Sequence, residues 1–167
     1  MTALSMYQAS VPVFCRGLAA LAKELEKAAA YAAERKFEPG ILVNARLAPD
    51  MLSLAGQVQR ASDTSKFSGE RLSGTPSPKF PDTETTFPEL QERIANTISY
   101  LQGLDPAAFA GSEDKEISLS TLGSFKGDAY LLNFAVPNFF FHLATAHAIL
   151  RENGVAVGKR DFLDLQA

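Results

Sequence analysis

The chain of 167 residues is the length of one domain, and 46% hydrophobic with 21% charged residues excludes a disordered, collagen-like or disulfide-scaffold polypeptide. Sixteen basic residues against 19 acidic ones, a net charge of -3, argue against the basic face that nucleic-acid binding needs. Cys15 is the single cysteine and cannot form an intrachain disulfide. The opening MTALSMYQASVPVF lacks the basic start of a signal peptide, so a reducing cytoplasm is the expected compartment. No apolar run approaches the roughly 20 residues of a membrane span; the longest, from Tyr130 to Leu150, contains Asn133, Pro137, Asn138, His142 and His147.

Taken in chain order, Leu4, Tyr7, Val11, Phe14, Leu18, Leu21, Leu25, Ala28 and Ala32 recur at steps of three and four, which predicts a long helix with one inward stripe. Pro12 either kinks it or sits at the first position of a helix capped by Val11, and Pro39-Gly40 stops it. Residues 41–48 read as a connector or a short helical turn. A second helix is expected from about Pro49 and Asp50, with Met51, Leu54, Val58, Ala61 and Ser65 inward. The stripe thins to small side chains after Val58, which allows close approach of a partner. Three prolines make 73–86 a loop. Thr86 and Glu89 fit a capping box, with Pro88 in the first turn, ahead of a stripe of Phe87, Leu90, Ile94, Thr97 and Leu101.

Residues 116–127 switch to period two at Ile117, Leu119 and Thr121, with Gly123 and Gly127 nearby, which predicts a small hairpin. Asp128 is the expected N-cap of a last long helix that Pro137 kinks or divides and that ends at Asn153-Gly154. This helix carries two apolar stripes, Leu131, Ala135, Asn138, His142, Thr145, Ile149 and Leu132, Val136, Phe139, Leu143, Ala146, Leu150. Two such faces place it at the centre of its bundle or in a subunit interface. The tail, with Val155, Val157, Phe162 and Leu163, is apolar enough to pack back. The elements make an all-α four-helix bundle of one domain, spanning 1–167, with a hairpin before the last helix.

Few residues suggest chemistry. Asn138 and His142 stand four apart, about 40° around a helix, and both face inward. The pair is either a satisfied buried polar cluster or a ligand site. His142 and His147 are separated by about 140° and cannot chelate one ion from a regular helix, so His147 reads as a boundary or interface residue. Gln57 lies at the edge of the core as a solvated flank, with Gln59 and Asp63 on an outer face. Cys15 reads as a small buried hydrophobe without a cationic partner. Lys159 and Arg160 either stay solvated, pair with a neighbouring subunit or hold an anion. Phe139, Phe140 and Phe141 read as core and interface. No phosphate loop, CxxC or Ser/His/Asp set is present.

The segments NARLAPDM, FPELQERIANTISYL, NFFFHLATAHAILRENGV and GKRDFL resemble an uncharacterised bacterial family, a domain of unknown function grouped with the DinB/YfiT-like superfamily, over essentially the whole chain. The resemblance implies an up-and-down four-helix bundle, often dimeric. It also implies a divalent metal held by one histidine of the second helix and an HxxxH pair of the last, in thiol-dependent S-transferases and a maleylpyruvate isomerase. Carried over, these positions fall on Gln57, Asn138 and His142, so one of three ligands is kept; neutral amides are poor ligands for zinc or nickel. The expectations are therefore a degenerate site without a metal or other cofactor, in which Gln57, Asn138 and His142 bind a small polar ligand or only each other. Against it stands a transferase or isomerase with His142 as its base or as sole strong ligand to zinc or nickel. A homodimer is expected, with no nucleic-acid or membrane partner.

Overall fold

The computed structural model describes residues 4–120 and 122–165; Thr121, one of the expected period-two positions, lies outside them. Helix α1 (Met6–Arg35) is capped by a reciprocal box between Ser5 and Gln8 and runs unbroken through Pro12. The proline therefore lies inside the helix and not at its first position, and Val11 is not the cap. Pro12 and Gln8 are both exposed, so the carbonyl deprived of its donor stands on the solvent side. The stripe from Val11 to Ala32 is buried, but Leu4 precedes the cap and is 74% exposed, outside the core it was expected to join.

A short helix, α2 (Gly40–Val43), is followed by a loop that a bridge between Arg46 and Ser53 closes. That closure delays the second long helix, α3 (Leu54–Ser73), which starts at the Ser53 cap rather than at Pro49 or Asp50 and leaves Met51 outside it. Helix α4 (Phe87–Gln102) begins with the Thr86–Glu89 box, and every member of its stripe is buried. A 3-10 turn (Pro106–Phe109) leads to an antiparallel hairpin of β1 (Glu116–Leu119) and β2 (Gly123–Lys126), in which Ile117 pairs with Phe125.

The last long helical run is composite. Helix α5 (Gly127–Tyr130) passes into one π-helical turn (Leu131–Ala135) and then into α6 (Val136–Glu152). Its cap is Lys126; Asp128 is the second helical residue, two places later than expected, and accepts from the Ala129 amide. Gly127 starts the helix because a Cβ there would stand 1.8 Å from the Ser112 carbonyl oxygen. The π-turn, in which the Val136 amide donates to the Leu131 carbonyl, lies immediately before Pro137 and absorbs its missing donor without a break. Of the two expected stripes, Phe139, Leu143, Ala146 and Leu150 are buried, whereas Leu132, within the π-turn, is 63% exposed. The run ends at Gly154, φ 91°, and Val155 and Val157 pack back into the core. Leu163, just past the short α7 (Lys159–Phe162), is exposed instead.

Helices α1 and α3 each pack against α4, α6 and one another, so α4 and α6 flank an α1/α3 pair. Helix α3 is buried on nearly every side, including Gln57, Ser62, Thr64, Ser65, Lys66 and Ser68. Gln57, expected as a solvated flank, is 1% exposed. Gln59 and Asp63 do not form an outer face. Gln59 donates to Glu84 at 2.9 Å, and Asp63 is paired with Arg60, Lys66 and Arg93.

Arg93 organises this side of the bundle. Its guanidinium, with the side chain 2% exposed, donates to Ser62 Oγ at 3.1 Å, to Asp63 at 2.8 Å, and to Asp82 and Glu84 at 2.9 Å each. Helix α4, helix α3 and the 74–86 loop are thereby joined through one charge. Because removal of a buried partner leaves carboxylates uncompensated, Arg93→Met is expected to lower stability by roughly 3 kcal/mol in urea unfolding and to open the 74–86 loop to limited proteolysis. An unchanged midpoint and an unchanged cleavage pattern would show that the network is dispensable.

Candidate functional site

The three positions singled out from the sequence all lie on the α3–α6 seam, but not as one cluster. The loop before α3 turns the Leu52 carbonyl toward Gln57, whose Nε2 donates to it at 3.2 Å. That fixes the amide, so Gln57 Oε1 faces His142 Nδ1 at 2.8 Å. An amide oxygen only accepts, hence the proton sits on Nδ1 and the lone pair on Nε2. Burial, and secondarily the charge of Arg60, push the His142 pKa below its ordinary 6.5, so the ring is neutral at pH 7. Asn138 turns elsewhere: its Nδ2 donates to Thr64 Oγ1 at 2.8 Å, and that hydroxyl donates to the Arg60 carbonyl at 2.7 Å.

This donor set does not fit a metal triad. Gln57 Oε1 is taken by the imidazole, Asn138 is engaged through Thr64, and only His142 Nε2 remains as a strong donor. Among the described residues no group of three or more His, Cys, Asp or Glu side chains is arranged to hold a metal ion.

Asn138 and Thr64 line a cleft of 470 Å³ between α3, the hairpin and the start of the last long run, into which neither Gln57 nor His142 opens. Arg60 and Arg71 stand on the α3 side of it, and Leu119, Leu122 and Phe134 supply apolar wall. Tyr130, Phe134 and Asn138 reach the cleft from one side of the helix although Tyr130 and Asn138 are eight residues apart, a spacing that a regular α-helix rotates by about 80°. The wider π-turn between them reduces the rotation per residue and restores the alignment.

The chain's similarity to known proteins agrees with the fold. The family model described as "Domain of unknown function (DUF1993)" matches residues 6–163. The chain belongs to this family. Among solved structures it is similar to a DinB family member protein from Shewanella denitrificans, at 40% sequence identity and a TM-score of 0.90, over 95% of this chain and 91% of that one. No curated protein matches the chain. The chain is thus a domain of unknown function on a DinB-type bundle. No helix among the described residues is long and apolar enough to cross a membrane.

Sequence reasoning missed a second polar pair in this bundle. His147 Nδ1 lies 2.7 Å from Glu24 Oε1, a carboxylate 2% exposed in its side chain, and the His147 ring meets Phe162 edge to face. Glu24 had the look of one more charged residue in a mixed run; only its place three residues after Leu21 and four before Ala28, at the edge of the stripe, hinted at burial. Burial holds its pKa above the ordinary carboxylate value, opposed by the hydrogen bond from His147. Cys15 is half-buried, and burial pushes its thiol pKa up, as suits an inert packing residue. Lys159 and Arg160 are exposed, and Asp161 beside them pairs with Lys27 at 2.7 Å.

The depressed pKa of His142 fixes a sign. The unfolded chain takes up the proton more readily, so this residue's contribution to stability is present above about pH 6.5 and is lost as pH falls through the folded pKa. Glu24 acts in the opposite sense, since its raised pKa favours the folded state at low pH. Urea midpoints at about pH 7.5 and about pH 5.5 should therefore fall more steeply in the wild type than in His142→Gln, which shares Glu24. Equal slopes would assign the titration elsewhere.

Proposed function

We propose that the chain is a small-molecule-binding DinB-type bundle that works without a resident metal. In this reading the histidine–amide pair at the metal position of the superfamily is a structural clasp, and the binding function belongs to the adjoining cleft. The observation that carries the proposal is the bond between Gln57 and His142. It consumes the acceptor a metal would need and closes the pair on itself, while Asn138 and Thr64 open onto 470 Å³ of space. That volume suits a small polar ligand.

One observation favours the enzymatic reading instead. His142 Nε2 has no hydrogen-bond partner among the described residues and the ring is neutral, as a general base or a lone metal ligand would be. Metal content separates the proposal from the metal-bound form of this reading. Tag-free protein purified without chelator is expected to carry far less than one equivalent of zinc, nickel or manganese, with no difference in His142→Ala. The variant should also melt lower, since a buried amide left without its partner costs about 1–3 kcal/mol. Near-stoichiometric metal that disappears in His142→Ala would overturn the proposal and justify a thiol-transfer assay.

A further inference from the structure

We infer that the ligand of this cleft is a small carboxylate with an apolar body, its carboxylate held by Arg71. The inference rests on the cleft being the binding site, as proposed above, and names the class of molecule it takes.

The charges lining the cleft are unequally committed. Arg60 is paired with Asp63 and Asp82, and Asp63 also receives Lys66 at 3.1 Å and Arg93 at 2.8 Å. Arg71 makes no ion pair among the described residues. Its sequence neighbour Glu70 is held by the backbone amide and hydroxyl of Ser77 instead. A half-buried guanidinium without a counter-ion, in a cleft partly walled by hydrocarbon, is a place where an anion gains most.

Arg71 is also held ready. The Ser68 hydroxyl spends its proton on the Thr64 carbonyl at 2.6 Å and so must accept from the Tyr130 hydroxyl at 3.0 Å. Tyr130, with its own proton used, can only accept, and Arg71 Nη1 donates to it at 3.0 Å. The guanidinium carbon stands 5.4 Å from the Phe67 ring and 5.6 Å from the Tyr130 ring. A chain of three defined hydrogen bonds and two neighbouring aromatic rings therefore restrains the guanidinium. Its remaining N–H groups are left to a ligand, in the geometry that matches a carboxylate. One uncommitted cation matches a single negative charge. Leu119, Leu122 and Phe134 would cover an apolar tail.

The test is titration of the full chain with phenylacetate and octanoate, with the matching amides, phenylacetamide and octanamide, and with the matching amines. Binding is followed by calorimetry and by NMR shifts mapped onto the cleft. Carboxylates are expected to bind there about ten-fold or more tighter than amides, and amines not at all. Arg71→Gln should weaken carboxylate binding about ten-fold or more and leave amide binding unchanged, while Arg71→Lys, which keeps the charge but not the fork, should weaken it less. Should Arg71→Gln fail to fold, the carboxylate–amide difference in the wild type and Arg71→Lys still decide. Amides that bind as tightly as carboxylates, or carboxylate binding untouched in Arg71→Gln, would overturn the inference and leave the cleft a binding site. Absence of binding by every series, or shifts that map elsewhere, would overturn both.

Discussion

A helix buried on nearly all sides while rich in polar side chains is the constraint on which this bundle depends. Each polar group taken out of water without a partner costs on the order of 1–3 kcal/mol, so α3 can occupy the centre only if its neighbours meet it group for group. They do. Gln57 meets His142, Thr64 meets Asn138, Ser62 meets Thr97 and Arg93, and Ser68 meets Tyr130. Lys66 meets Asp63 and lies 3.6 Å over the Phe67 ring. The one buried side-chain polar atom left without a partner among the described residues, Ser112 Oγ, is far from α3 in sequence and lies near the base of the hairpin. The small side chains of α3 serve the same end, letting α4 approach until a Cβ at Gly69 would stand 3.2 Å from Leu101.

This explains what the sequence revealed. Apolar periodicity located four long helices, and local chemistry located the Thr86 box, the hairpin and the Gly154 stop, because these depend on residues within a turn of one another. The α3–α6 seam was legible only as a place. Gln57, Asn138 and His142 lie on it, yet their pairing was hidden because the partners are 74 and 85 residues apart. Reading polar as solvated misplaced Gln57, Gln59 and Asp63 in one stroke. Periodicity assigns a face by hydropathy, and on α3 the face toward Arg93 and the 74–86 loop is polar and covered. Arg71 and Tyr130 escaped for a related reason: neither stands in a motif, and their relation exists only once α5 has been brought beside α3.

Partner matching on α3 also separates two things that a three-histidine frame would merge. At the lower end the seam is closed, because Gln57 and His142 satisfy each other. At the upper end it is open, because Asn138 spends one donor on Thr64 and the hairpin stands off far enough to leave a cavity. Two of the three positions at which the resemblance implied metal-binding histidines, Gln57 on α3 and Asn138 on α6, are amides in this chain. An imidazole at position 57 has a lone pair to give a metal, whereas the Gln57 amide binds the neighbouring imidazole.

Pro137 connects these features to the cleft. A proline inside a long helix removes one donor and crowds the carbonyl four residues before it. Here that carbonyl belongs to exposed Asn133, and the chain widens into a π-turn from Leu131 to Ala135. The widening rotates Leu132 out to solvent, at the loss of one apolar contact, and brings Tyr130, Phe134 and Asn138 onto one side. Tyr130 then meets Ser68 and Arg71, and Asn138 meets Thr64, on successive turns of the same face of α3. In a regular helix the rotation of about 80° between Tyr130 and Asn138 would carry one of them off the seam. The irregularity that appears in the sequence as a flaw in the last helix is therefore what gives the cleft both its polar wall and its oriented guanidinium.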